Sequence, residues 1–211
     1  MAAFGDLFIV SGPSGAGKSA LSSWAVQSVP GLRFSISYTT RSPRGSERDG
    51  VEYHFVDRGA FADLVHRGEL LEWAEVYGNY YGTSRRQIDE ILGNGEDVLL
   101  DVDVQGARAI RGKRPESISI FVLPPSFQVL RDRLISRKED RKYVIEQRLK
   151  IACKEIRSYE DYDYLIINDN LGKSMGELKA IIVGSRCRKT SRAMVAESIV
   201  ATFGGVDAEN P

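Results

Sequence analysis

Three short segments hold the residue types able to do chemistry, and the first is Gly12-Pro13-Ser14-Gly15-Ala16-Gly17-Lys18-Ser19. Its spacing fits a loop whose backbone N–H groups cradle the phosphates of a nucleoside triphosphate. The glycines let successive amides turn inward, and a helix beginning behind them adds the favourable end of its dipole. In such a loop Lys18 reaches the β- and γ-phosphates, and the Ser19 hydroxyl ligates Mg²⁺. The apolar run Leu7-Phe8-Ile9-Val10 before it, and Ala20-Leu21-Ser22-Ser23-Trp24-Ala25-Val26 after it, predict the strand and helix that hold such a loop.

The second segment is Ser35-Ile36-Ser37-Tyr38-Thr39-Thr40-Arg41-Ser42-Pro43-Arg44. Pro43 restricts the loop between Arg41 and Arg44, and two guanidinium forks held this way suit a phosphate monoester. The third contains Glu72, in Leu70-Leu71-Glu72-Trp73, and the stretch Gly78-Asn79-Tyr80-Tyr81-Gly82-Thr83.

With these motifs in this order, the chain resembles guanylate kinases. Val98-Leu99-Leu100-Asp101-Val102-Asp103-Val104-Gln105-Gly106 and the pair Arg137 and Arg148 extend the resemblance, which runs from about residue 7 to about residue 170. It implies transfer of phosphate from ATP to GMP, giving ADP and GDP, with Mg²⁺ accompanying ATP. It also implies that residues 12–19, Arg133, Arg137 and Asn168 bind ATP, with the adenine near the lid and residues 168–170. On the acceptor side, Ser37 would donate to guanine O6, Thr83 and Asp103 would complete the base contacts, and Arg41, Arg44, Tyr53 and Tyr81 would hold the phosphate. Thr83 stands where some relatives carry serine and keeps the hydroxyl. Lys18, Arg44, Arg137 and Arg148 would be catalytic, and Ser19 with Asp101 would hold the metal or its waters. Lys138 stands where glycine is common and Arg141 where serine or threonine is common, so a stiffer hinge with tighter closure and slower product release is expected.

The acceptor's chemistry is consistent with that assignment. Guanine presents N1–H and the 2-amino group as adjacent donors, and the Glu72 carboxylate can accept from both. Adenine lacks the amino group and has a lone pair at N1, so it would leave the carboxylate unpaired, a difference able to discriminate by up to roughly 10⁴-fold. The nucleophile is a phosphate oxygen with a second pKa of about 6, already ionised at neutral pH, so no general base is needed and neither His54 nor His66 is expected to be catalytic. Two other readings share the phosphate loop. A kinase of ribose bisphosphates would need no carboxylate for a purine edge, and guanylate-kinase-like binding modules of scaffold proteins have lost part of the loop that Lys18 and Ser19 retain here.

The elements that must position these groups read as α/β. Apolar runs at 7–10, 33–37, 98–102, 118–123 and 164–167 predict strands, and near-continuous apolar character such as Val98-Leu99-Leu100 predicts a parallel sheet covered on both faces. The expectation is a P-loop NTPase three-layer core with a parallel sheet, formed by residues 1–37, 97–125 and 158–211. An inserted GMP-binding lobe would span 38–96 and a helical lid 126–157. In the lid, Ser126 is a predicted N-cap, Leu130 and Leu134 share one helical face, and Ile145, Leu149, Ala152 and Ile156 form a second apolar stripe. Cys153 falls in that pattern as a small apolar residue.

Composition narrows the classes further. The 211 residues carry 29 basic and 29 acidic side chains, so no diffuse attraction to nucleic acid is expected. No apolar run approaches the ~20 residues of a membrane span, and no basic n-region precedes a long apolar segment. Two cysteines without metal-ligand spacing complete the picture of a cytoplasmic protein, expected to be a monomer or small homo-oligomer.

Overall fold

A computed structural model describes residues 4–76, 78–136 and 142–203. In chain order, the first half comprises β1 (Leu7–Ser11), α1 (Lys18–Ser28), β2 (Leu32–Phe34), β3 (Tyr38–Thr39), β4 (His54–Phe55), α2 (Arg58–His66), β5 (Leu70–Val76), β6 (Asn79–Ser84) and α3 (Arg85–Gly93). The second half comprises β7 (Asp97–Asp101), α4 (Val104–Lys113), β8 (Ile118–Leu123), α5 (Phe127–Ser136), α6 (Lys142–Glu155), a 3₁₀ turn (Ile156–Asp161), β9 (Tyr164–Ile167), α7 (Leu171–Ser185) and α8 (Lys189–Phe203).

The apolar runs form a five-stranded sheet of order β2-β7-β1-β8-β9, parallel throughout. Alternation along β1 splits the core into two layers. Phe8 and Val10 pack with Leu21 and Ala25 of α1 and Leu178 and Ile182 of α7. Leu7 and Ile9 face the other way, against Ile88 and Leu92 of α3 and Ala107 and Ile110 of α4. The expected helix–sheet–helix layering is therefore present. Because the strands are parallel, their carboxyl ends share one edge, and Gly12, Asp101 and Asn168 all emerge there.

A second sheet, of order β4-β3-β6-β5, lies between β2 and β7 in the chain. A pairing irregularity between Leu70 and Glu72 lets three successive residues of β5 be buried in different places. Leu70 joins Phe61 and Leu64 under the second sheet, Leu71 enters the central core, and Glu72 turns to the space between the sheets. Helix α3, inside the 38–96 segment, packs on the large sheet instead.

Other differences from the sequence reading have local causes. The strand expected over 33–37 stops at Phe34 because the Gln87 side chain takes over, bonding Ser35 Oγ at 3.0 Å and accepting the Ile36 N–H at 3.2 Å. Ser126 does cap α5, accepting the Val129 N–H at 3.2 Å, and Leu130, Leu134, Leu149 and Ala152 form one buried cluster with Ile145 against it. The chain tightens into the 3₁₀ turn at Ile156, which ends the stripe one residue early. Cys153 is exposed, not packed as expected. The basic segment after α7 has a structural partner: Arg186 donates to Asp97 Oδ2 at 2.8 Å and to the Pro30 carbonyl at 2.8 Å, tying the C-terminal helices to the sheet edge. Among the described residues, no helix is long and apolar enough to cross a membrane.

Candidate active site

The phosphate loop leaves the carboxyl end of β1 and opens directly into α1. Gly12 has φ +140, and a Cβ there would lie 2.3 Å from the Val122 carbonyl oxygen, so the chain can pass this close to β8 only as glycine. Gly17 caps α1 in the left-handed region with φ 100, and a Cβ there would meet the Asn168 amide nitrogen at 2.2 Å. Lys18 folds back across the loop, its Nζ donating to the Gly12 carbonyl at 2.6 Å and the Pro13 carbonyl at 3.2 Å. The ammonium is thus held against the start of the loop.

Two side chains brace the loop from behind. Asn168 is only 3% exposed and its Nδ2 donates to the Ala16 carbonyl at 2.8 Å. Arg133 donates from Nη1 to the same carbonyl at 3.4 Å and from Nη2 to the Asn168 carbonyl at 2.8 Å. The sequence reading expected both at the nucleotide, with Asn168 beside the adenine. Here Asn168 is buried behind the loop, because an unmatched Ala16 carbonyl in that interior would cost more than a solvent-facing amide returns.

In front of the loop, Ser19 Oγ donates to Asp101 Oδ2 at 2.8 Å. Desolvation at the floor of the cleft raises the Asp101 carboxyl above its usual range, opposed by the Lys18 charge and the Ser19 hydroxyl. A hydroxyl and a carboxylate make a hard oxygen pair that suits Mg²⁺, an ion that takes few protein ligands and completes its shell with phosphates and water. Among the described residues no group of three or more His, Cys, Asp or Glu could hold a metal.

Across a cleft of about 350 Å³ stand side chains of the second sheet and its adjoining loops. Ser37, Arg44, Tyr53, Glu72 and Tyr81 share its wall with Lys18, Ser19, Asp101, Asp103 and Arg148. Glu72 is 5% exposed and accepts the fully buried Thr83 hydroxyl at 2.5 Å. Burial pushes the Glu72 carboxyl up from 4.5 to about 7; the Thr83 hydrogen bond opposes that rise, and the nearby Asp103 carboxyl adds to it. Asp103 also caps α4 through the Gly106 N–H at 2.7 Å. The Tyr53 hydroxyl is pushed up to about 12, chiefly by burial, so it remains a neutral donor. Its ring meets that of Tyr81 edge-on at 5.9 Å.

Arg41 is paired within its own turn. Its fork closes on Glu47, Nη1 to Oε2 at 2.9 Å and Nη2 to Oε1 at 3.0 Å, over the Tyr53 ring at 5.3 Å. Glu47 also accepts the Arg44 N–H at 2.7 Å, which fixes the turn between the two arginines. A carboxylate six residues away thus holds a guanidinium that the sequence reading assigned to a ligand, while Arg44 remains exposed at the cleft. Arg148 reaches the cleft from α6, whereas Arg137, with Lys138 and Arg141, lies outside the described residues. Glu155, also on the cleft wall, was missed from sequence; its seven-residue spacing from Arg148, two turns along one helix face, is the signal that points to it.

Glu72 carries a stability cost with a definite sign. Its folded-state pKa lies above the unfolded value, so the native state binds the proton more tightly and stability falls as pH rises from about 4.5 to about 7. Above that window the penalty is on the order of 3 kcal/mol. Glu72→Gln should therefore raise the urea-unfolding free energy by about 1–3 kcal/mol near pH 8 and leave it close to wild type near pH 5. Equal differences at both pH values would remove the buried charge as the cause.

The comparisons with known proteins agree with this geometry. Residues 5–184 match the family model described as guanylate kinase. A guanylate kinase of Alkalilimnicola ehrlichii is 45% identical over 201 residues, covering 95% of this chain and 99% of its own. One from Vibrio cholerae is 49% identical over 191 residues, covering 90% of this chain and 92% of its own. The crystal structure of guanylate kinase from Anaplasma phagocytophilum superposes with a TM-score of 0.79 at 31% identity, covering 98% of this chain and 99% of its own. With the phosphate loop, the second sheet and the buried glutamate facing one another across a single cleft, and with relatives matching over nearly the full length, this chain belongs to the guanylate kinase family.

Proposed function

We propose that this protein transfers the γ-phosphoryl group of ATP to the phosphate of GMP, yielding ADP and GDP. One observation carries the reading: a phosphate loop and a buried purine-selecting carboxylate, on different sheets, open onto the same cleft of about 350 Å³. Glu72 accepts from guanine N1–H and the 2-amino group, with its other hydrogen bond supplied by Thr83, while Ser37 and Asp103 border the base. Arg44, Tyr53 and Tyr81 hold the acceptor's phosphate, and Arg41 joins them by exchanging Glu47 for it. Residues 12–19 hold the donor's phosphates through backbone amides.

Phosphoryl transfer between two anions needs alignment and charge neutralisation more than proton transfer. Lys18 neutralises the donor's β- and γ-oxygens, Arg44 stands between acceptor and transferring group, and Arg148 approaches from α6, with Arg137 as its partner. Ser19 and Asp101 would hold Mg²⁺, which supplies electrostatic stabilisation of the polyphosphate when bound. Asn168 and Arg133 act through the loop they brace, so both are positioning residues. The same reading carries a cytoplasmic location and a monomer or small homo-oligomer.

The direct test is ADP formation with GMP, with AMP and with no acceptor. GMP should support turnover, with AMP below about one hundredth of it. ADP release independent of acceptor, or GMP binding without any turnover, would overturn the assignment. Asn168→Ala should raise the KM for ATP by about tenfold, because the Ala16 carbonyl keeps only its long contact to Arg133, and leave the KM for GMP unchanged. An equal rise in both would mean that Asn168 supports the whole cleft and not the loop.

A further inference from the structure

Lys113 is not part of the cleft wall, yet it grips the backbone beside Glu72. In β5, Leu70 pairs with Ser84 of β6 and Glu72 pairs with Thr83, so Leu71 is one residue more than the partner strand supplies. The faces of the strand record the extra residue. Leu70 and Trp73, three apart, both pack on Phe61, whereas a regular strand turns residues two apart to one face. Without the extra residue, Glu72 would share the face of Leu70 and point away from the cleft.

Helix α4 holds that irregularity from one side. The Leu71 side chain packs with Ala107 and Ile110, and the Leu71 carbonyl accepts from Lys113 Nζ at 2.5 Å. The first turn of the same helix lies against the carboxylate itself, since a Cβ at Gly106 would stand 3.1 Å from Glu72 Oε2. The helix that supplies Asp103 to the cleft therefore also sets where Glu72 lies.

We propose that Lys113 is a positioning residue for the acceptor: by holding the Leu71 carbonyl, it fixes the irregularity in β5 that turns Glu72 toward the guanine edge. The proposal rests on reading Glu72 as the group that recognises the base. A lysine in the last turn of a helix also offsets the helix dipole, but that role alone would leave GMP recognition untouched. The ammonium has a second effect on the same carboxylate. Burial raises the Glu72 carboxyl and the Asp103 charge adds to the rise, while the Thr83 hydrogen bond and the Lys113 charge oppose it. Loss of Lys113 therefore moves the decline of GMP affinity to higher pH.

The test is a double-mutant cycle of Lys113→Met and Glu72→Gln, read as steady-state kinetics for GMP and ATP at pH 8. Lys113→Met should lower kcat/KM for GMP by about tenfold and keep the KM for ATP within about twofold. Its GMP profile should be displaced to higher pH relative to wild type. In the Glu72→Gln background the same substitution should cost less than about threefold, because the carboxylate it positions is gone. Equal tenfold losses in both backgrounds, or parallel rises in the KM for GMP and for ATP, would overturn the role of Lys113.

The two readings fail separately. If Glu72→Gln leaves GMP kinetics unchanged, recognition of the base by Glu72 fails and the proposal falls with it. If Glu72→Gln weakens GMP and Lys113→Met does not, Glu72 keeps its role and only Lys113 is misassigned. Should the methionine variant not fold, Lys113→Gln completes the cycle, being uncharged and shorter but still polar, with the same expected losses.

Discussion

Lys18→Met should lower kcat by on the order of 10³-fold while leaving GMP affinity within about twofold. Methionine keeps most of the side-chain length but carries no charge, so the variant removes what Lys18 contributes as negative charge moves from the attacking acceptor oxygen to the β-phosphate oxygen of the leaving ADP. Lys18 is already directed by the Gly12 and Pro13 carbonyls at 2.6 and 3.2 Å, so its ammonium needs little reorganisation to act. The loop does not depend on those contacts alone, because Asn168 and Arg133 hold Ala16 from behind. The side chains assigned to GMP come chiefly from the other sheet, so the acceptor should still bind. Steady-state turnover and direct GMP titration check the two halves separately. Near-normal turnover would take the loop out of the mechanism.

Glu72→Gln should lower kcat/KM for GMP by on the order of 10²- to 10³-fold and leave the KM for ATP unmoved. The amide offers one acceptor where two guanine donors need partners, and its NH₂ group would face a donor. An unaltered KM for GMP would contradict recognition of the base by this carboxylate. The same residue predicts a pH dependence. With its pKa raised to about 7 by burial, Glu72 must lose its proton to accept from guanine, so GMP affinity should weaken as pH falls below about 7. Between about pH 8 and about pH 6 the expected loss is roughly tenfold. The phosphate of GMP also titrates near pH 6, but equally for wild type and variant, so the ratio of the two profiles isolates Glu72. A ratio independent of pH would place its titration outside that range.

The fold and much of the cleft were legible because their signals are local. The strand–glycine loop–helix order of residues 7–28 follows from apolar runs and from glycines that turn the chain, and both are written in adjacent residues. The parallel sheet followed from runs such as Val98-Leu99-Leu100, which fit a strand buried on both faces. Ser126 was recognisable as a cap because a cap needs only the next three residues.

Side-chain pairings set by the folded chain were not legible. Arg41 was read as a phosphate ligand, but its pairing with Glu47 in the same turn could not be read from residue types alone. Asn168 looked like a nucleotide contact, and it lies behind the loop because a buried carbonyl 152 positions away needed a donor. The irregularity at Leu70–Glu72, which sends three neighbours to three environments, exists only because two sheets meet there. The sequence by itself determined the layering, the phosphate loop and the identities of the charged groups. Tertiary structure decided which of those charges face the cleft and which are consumed by one another, because desolvation and pairing depend on distances that only the folded chain sets.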